Sequence, residues 1–424
     1  MFDLTPLLYV DTQEGVRQLA ERLAASPIVG VDTESDSMYS YREKVCLIQF
    51  TDAHGDVILD PLAVDSLDPL EPVFSDPGIC KIFHGADYDL VCMKRDFGFQ
   101  TRNLFDTLVA AEFLGMERKG LADLIDRFFG FPIDKQYQRH DWSRRPLEPE
   151  HLDYARGDTH FLPALREILL RRLHKAGRFP HHAEECLLLE SKEWPERPFD
   201  RDGWQRIRGS KELDTTAQRV LRQLYLYRDA QARKLDRPAF KVIGDQILLQ
   251  VARKRPQDKG ELDRLLSGKN ALKRRHADGL VRAVRDGLAD ADPLPGPGSR
   301  RPQDDDDDEA APARLRGRNA ERVQEALKAW RNRLVNSSRL YSPYSLASNA
   351  DLKAISRARP FDLAELRQVP GIRDWQVRDH GDAILAILDE VAPADGLDST
   401  DDAPTGGRGG GGRRRRRGRG SSSS

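Results

Sequence analysis

The spacing of apolar positions changes along the chain. In the first part, short runs of consecutive or alternating apolar residues read as strands, and stretches with an apolar residue every three or four positions read as helices. Residues 7–10, 28–34, 45–51, 56–59 and 79–84 are strand-like. The turn AHGD joins the third and fourth of these, which predicts a hairpin. Residues 12–25 have helical period, a further helix is expected to start near Ala86, and the pattern from Phe105 onward is mostly helical, through LADLIDRFFG to one long segment at 148–175. Such alternation predicts an α/β domain with a mixed central sheet over residues 1–180. Residues 133–146, with KQYQRHDWSRRP, are polar, aromatic and aperiodic, and are expected to form an ordered loop beside a site.

Beyond Pro198 the periodicity is helical only, and the chain matches itself at a shift of 104 residues: RPQDKGEL from Arg255 lies on RPFDLAEL from Arg359, His276 on His380, Phe240 on Tyr344 and Leu248 on Leu352. Two copies of one small helical module, 210–288 and 315–392, account for this, with 181–209 as a connector. Between the copies, 289–314 contains PLPGPGSRRPQDDDDDEAAP, too rich in proline, glycine and acid to bury a core, and reads as a flexible linker. The tail 393–424, ending GGRGGGGRRRRRGRGSSSS, is expected to be disordered.

At 424 residues the chain is long enough for two to four domains. Lys plus Arg (68) nearly balances Asp plus Glu (69), so net charge names no partner, but local charge does. From Lys211 to Leu288 there are 19 basic against 10 acidic residues; from Leu315 to Val391 there are 13 against 10. Arg253, Arg255, Lys273, Arg274 and Arg275 make the first module the better candidate for binding nucleic-acid phosphates, a solvated charged face being the ordinary alternative. The arginine-rich tail is compatible with weak attraction to RNA or with a solubilising end. Cys46, Cys80, Cys92 and Cys186 form no C-x-x-C pair and read as reduced, apolar side chains. No apolar run approaches the length of a membrane span and MFDLTPLLYV lacks signal-peptide features, so a cytoplasmic protein without membrane contact is expected.

The candidate chemistry lies in carboxylates. VGVDTESD places Asp32 and Glu34 directly behind an apolar run, where burying them is costly unless something offsets their charge. Asp89, in HGADYDL, falls a few residues after the strand ending at His84. Tyr154 and Asp158, in YARGDTHFL, are four apart and so lie one turn apart on one face of a helix. Four converging carboxylates repel one another unless divalent cations neutralise them, and oxygen-only ligands favour magnesium or manganese over zinc. Two such ions about 4 Å apart can clamp the attacking and leaving oxygens of a phosphodiester. Singly, each residue has an ordinary reading: turn caps for Asp32 and Glu34, a first-turn helix carboxylate for Asp89, a surface pair with Arg156 or Arg166 for Asp158, a core aromatic for Tyr154. Jointly, those readings leave the order and context unexplained.

In order and context VDTES, HGADYDL and YARGDTHFL resemble the three motifs of the DEDD superfamily of 3′–5′ exonucleases, in its tyrosine-containing branch, over residues 8–178. DWSRRPL resembles the segment before the third motif in ribonuclease D. The repeated module resembles the HRDC domain, and an exonuclease followed by two such modules is the layout of the bacterial ribonuclease D family, from which only the acidic linker and the arginine-glycine tail depart. The resemblance implies a ribonuclease H-like mixed sheet with flanking helices, followed by two all-α HRDC-like domains. It implies that Asp32, Glu34, Asp89 and Asp158 hold two Mg2+ or Mn2+ ions, with Asp32 bridging them, Glu34 and Asp158 on the ion that holds the nucleophile, and Asp89 supporting the second. Tyr154 would orient the attacking water, since an unperturbed pKa of about 10 makes it a poor base. The implied reaction releases nucleoside 5′-monophosphates from RNA 3′ ends, with precursor tRNA carrying 3′ extensions as the expected substrate of a monomeric enzyme. His84, Lys135 and Arg145 are further candidate RNA contacts, each with a structural alternative. A DNA 3′–5′ exonuclease and a non-catalytic RNA-binding protein are the competing functions. The intact motif set argues against the second of these, and the paired HRDC-like modules favour RNA.

Overall fold

Six strands form one sheet: β1 (Leu8–Val10), β2 (Ile28–Ser35), β3 (Val45–Asp52), β4 (Gly55–Leu59), β5 (Cys80–Phe83) and β6 (Leu104–Asp106), in the order β1-β4-β3-β2-β5-β6. This computed structural model describes residues 7–134, 136–194, 198–294, 313–338 and 346–393. β2 runs antiparallel to β3, and β3 to β4, while the other neighbours are parallel, so the sheet is mixed. The expected hairpin is present, β3 turning into β4 with Asp52 opposite Gly55. β6 is a correction to the helical reading from Phe105 onward: three residues that run straight into a helix are too short to show a period.

The strand period of two sorts β2 between its faces. Val29 and Val31 enter a core with Val16, Leu19 and Leu23 of α1 (Gln13–Ala24), Phe74 of α2 (Glu71–Ser75) and Leu90 and Met93 of α3 (Asp87–Phe97). The alternate positions, Gly30, Asp32 and Glu34, face the other way. After α4 (Thr107–Phe113) and α5 (Leu121–Phe129), that face is met by α6 (Pro149–His160) and α7 (Leu162–Lys175). The approach is close: a Cβ on Gly30 would lie 3.2 Å from Leu162 Cβ and 3.3 Å from the Thr159 carbonyl oxygen.

The expected single helix at 148–175 is two helices broken at Phe161. Pro163 has no N–H to donate to the Thr159 carbonyl four residues back, which ends one helix and suits the first turn of the next. The boundary expected near residue 180 is corrected as well. α8 (Phe179–Glu190) packs on the sheet domain: Cys186 joins its core, the His182 ring lies 4.3 Å from that of Phe105, and His182 Nε2 is 3.0 Å from the Asp106 carbonyl oxygen. Buried histidines give this helix a polar text that periodicity does not flag.

The chain divides into two compact units, one containing the sheet domain with the first helical module and the other most of the second. The first module comprises α9 (Thr215–Leu235), α10 (Ala239–Val242), α11 (Asp245–Lys254), α12 (Lys259–Leu265) and α13 (Asn270–Ala289). The second comprises α14 (Gly317–Ser338), α15 (Asn349–Ala358), α16 (Leu363–Arg367) and α17 (Asp374–Val391). The sequence repeat is a repeat of caps. Arg255 ends α11 at φ 52° and Arg359 ends α15 at φ 44°, both left-handed, and each is followed by proline. Asp258 and Asp362 then cap α12 and α16, accepting from the Glu261 and Glu365 amides at 2.8 Å in both copies. Leu248 and Leu352 are both buried, as the alignment of the copies implies. Tyr344, residues 295–312 and residues 394–424 lie outside the described residues.

Candidate active site

Asp32 and Glu34, two apart on β2, present their carboxylates on the face toward α6, where Asp158 projects from the helix; oxygens of the three lie within 4.8 Å of one another. Asp89 comes from α3, on the opposite face, and accepts a hydrogen bond from Thr33 Oγ1, whose side chain points that way. It therefore stands beside the group of three rather than within it. Tyr154, one turn before Asp158, is part-buried, with ring contacts to Trp142 (5.9 Å, stacked) and Tyr137 (5.9 Å, edge-on). Trp142 and Tyr137 belong to the polar, aromatic loop, which thus lies beside the site as expected.

All four carboxyls are held above their ordinary range. Burial is the first cause for each, and for Asp32 and Glu34 the charges of Asp89 and Asp158 add to it. Burial and then Asp89 push Asp158 up to about 7; burial pushes Asp89 up to about 6 against the opposing Thr33 hydrogen bond. The Tyr154 phenol is raised by burial and by Asp158, Glu34 and Asp32. Among the described residues no Lys, Arg or His lies within ion-pairing distance of Asp32, Glu34, Asp89 or Asp158. Arg156 pairs with Asp56 and Arg166 with Glu167, so neither neutralises Asp158. Clustered oxygen donors without a protein cation fit a hard divalent metal.

Two supports escaped the sequence reading. Asp56 on β4 is buried beneath α6, where it receives Arg156 Nε at 2.5 Å, His160 Nδ1 at 2.8 Å and Thr51 Oγ1 at 2.8 Å, and Thr51 Oγ1 also lies 2.8 Å from Thr159 Oγ1. These bonds pin the helix that carries Tyr154 and Asp158. Asp106 accepts from the Gly85 amide at 3.0 Å and the Ala86 amide at 2.8 Å, shaping the loop before Asp89, and caps α4 through the Leu108 amide at 2.8 Å. An aspartate opening a helical run is a readable cap signal. Nothing local joins Asp56 to Arg156, one hundred residues away.

The remaining candidates separate. Arg145 is a correction: its five N–H donors go to the two Asp60 carboxylate oxygens and to the carbonyls of Cys46 (2.8 Å), Trp142 (2.7 Å) and Arg144 (2.8 Å), so it ties the loop to the sheet and has no donor left for phosphate. His84 Nδ1 lies 3.0 Å from Thr107 Oγ1, whose own proton goes to the Phe83 carbonyl at 2.9 Å, so the ring proton sits on Nδ1 and Nε2 remains an acceptor. Lys135 lies outside the described residues, as do the side chains of Lys273 and Arg274 on α13. Arg275 is exposed on that helix, while Arg253 and Arg255 make only 3.4 Å contacts, to Glu212 and Asp214.

Residues 7–174 match the family described as 3′-5′ exonuclease, and 217–284 and 320–388 each match the HRDC domain. A ribonuclease D of Gluconacetobacter diazotrophicus is 29% identical over 386 residues, 90% of this chain and 92% of that one. The ribonuclease D of Escherichia coli is 31% identical over 261 residues, 61% of this chain and 69% of that one. The chain belongs to the ribonuclease D family. The five residues of the candidate ribonuclease D site, Asp32, Glu34, Asp89, Tyr154 and Asp158, all fall within the exonuclease match. A crystal structure of the catalytic core of RRP6 from Trypanosoma brucei superimposes with a TM-score of 0.63 at 32% identity, covering 69% of this chain and 82% of that one. The chain spans about a third of the length of two RRP6-like proteins of Arabidopsis thaliana and of the exosome complex component 10 homolog of Caenorhabditis elegans, which it also matches. No helix among the described residues is long and apolar enough to cross a membrane.

Proposed function

We propose that this ribonuclease D family member is a 3′–5′ exoribonuclease, hydrolysing the terminal phosphodiester of RNA and releasing nucleoside 5′-monophosphates. The observation that carries the reading is the group of Asp32, Glu34 and Asp158, within 4.8 Å of one another and without a protein cation, one helical turn from Tyr154. Asp32, Glu34, Asp89 and Asp158 are the residues to hold two Mg2+ or Mn2+ ions. Bound divalent cations supply the positive charge the carboxylates lack, acidify the attacking water and screen the scissile phosphate. Tyr154, its phenol raised, keeps its proton at neutral pH and acts as a hydrogen-bond donor that orients the water. Asp56 and Asp106 hold the two helices that deliver Asp158 and Asp89.

Precursor tRNA and other structured RNA with short 3′ extensions are the substrates in this reading. The first helical module contributes phosphate contacts through its basic excess, Arg253, Arg255 and Lys273 to Arg275 among them. Magnesium-dependent digestion of matched RNA and DNA oligonucleotides with free and blocked 3′ ends tests the whole assignment. RNA with a free 3′ end should be shortened one nucleotide at a time, and chelator should stop it. Equal or faster digestion of DNA would point to a DNA exonuclease, and RNA binding without hydrolysis to a non-catalytic protein.

A further inference from the structure

Gln49 is fully buried, yet neither its Oε1 nor its Nε2 has a hydrogen-bond partner among the described residues. It lies on β3, directly opposite Asp32 of β2 on one side and Ile58 of β4 on the other. Directly opposed residues share a face of the sheet with Cβ atoms about 4.5–5.5 Å apart in an antiparallel pair, so the Gln49 amide is on the same side as the Asp32 carboxylate and within a glutamine's reach of it.

Its neighbours on that face are treated differently. Thr51, two residues along, is bonded to Asp56 and Thr159 at 2.8 Å each. Leu47, two residues the other way, packs with Ile58, Trp142 and Ala155 in an apolar cluster. An apolar side chain at position 49 would continue that cluster and avoid burying an amide with nothing to bond, which opposes folding. A buried amide kept at that cost beside a candidate ligand has a use when the site is loaded.

We propose that Gln49 is a positioning residue of the metal site: with a divalent cation bound, its Nε2 donates to an Asp32 carboxylate oxygen and holds that ligand's orientation. Outer-shell partners of this kind commonly set the direction and basicity of metal-bound carboxylates. Side-chain torsions alone bring the groups together, because the ladder from Gly30 to Glu34 already fixes both strands. The proposal rests on the metal-site reading above.

Gln49→Met removes the amide and nearly keeps its volume. With the full-length chain, thermal unfolding in chelator and calorimetric titration with Mn2+ decide the matter. The metal-free variant should unfold at or above the wild-type temperature, Mn2+ should bind it about tenfold more weakly, and turnover should fall at subsaturating Mn2+ with KM for a short RNA unchanged. A variant that fails to fold, loses stability without metal, or binds Mn2+ as the wild type does overturns the proposal, since the amide is then a structural group or idle. Wild-type protein that binds no Mn2+ overturns instead the metal-site reading itself.

Discussion

Two carboxylate clusters lie under α6, and their contrast explains what each is for. Burial alone would raise the Asp56 carboxyl, but hydrogen bonds from His160, Thr51 and Arg156 outweigh it and hold that group below its ordinary range. Around Asp158 the same burial is unopposed, and Asp89, Asp32 and Glu34 bring only further negative charge. Both clusters draw on α6 and the sheet face beneath it, with Asp89 of α3 standing beside the second, so location does not separate them. The presence or absence of a protein cation does. A cluster whose charge the protein neutralises can work as a fastening, and one whose charge it leaves open is the candidate for a cationic ligand.

Substitutions should pull the clusters apart in opposite directions. Asp32→Asn is expected to reduce turnover on a short RNA by about a thousandfold, as for loss of a principal electrostatic group, while the metal-free protein unfolds no earlier than wild type because repulsion is relieved. Oligonucleotide hydrolysis with parallel thermal unfolding checks this, and near-normal turnover would remove Asp32 from the site. Asp56→Ala should do the reverse. It strands the buried Arg156 and the half-buried His160 without their carboxylate, costing about 3–5 kcal/mol of stability, measurable by urea unfolding; a loss under about 1 kcal/mol would mean that the network does not fasten α6.

Tyr154→Phe keeps the ring against Trp142 and deletes only the hydroxyl. Single-turnover cleavage should slow by about a hundredfold with RNA affinity nearly unchanged, and a collapse of binding with intact chemistry would reassign the residue. A pH trend is expected as well. Because the site carboxyls are raised in the folded state, Asp89 to about 6 and Asp158 to about 7, the folded metal-free protein holds more protons than the unfolded chain from about pH 4 up to those values. Stability in chelator should therefore fall as pH rises through that window. Saturating Mg2+, which favours the charged carboxylates, should flatten the fall, and so should Asp158→Asn. Unfolding midpoints that follow the same slope in wild type and Asp158→Asn would show that the open cluster is not charged in the way described.

Strand and helix periods were enough to put Asp32 with Glu34 on one sheet face and Tyr154 with Asp158 on one helix face, and the ordered motifs around them pointed to the exonuclease family. The module repeat was equally legible, down to the Arg-Pro that ends α11 and α15. These features depend on interactions within a turn or a strand, so neighbouring residues encode them. Other features needed the fold. β6 is too short to carry a period, Pro163 divides a segment that reads as one helix, and α8 joins the sheet core through histidines that look polar in sequence. Arg145 has the composition of a phosphate contact until its loop folds onto Asp60 and takes up every donor it has. Asp56 meets Arg156, and Gln49 comes to lie opposite Asp32, only through strand register and helix docking. Which charge finds a partner is settled by contacts between residues far apart in the chain, and that tertiary choice separates the carboxylate that fastens the helix from the carboxylates proposed to hold metal.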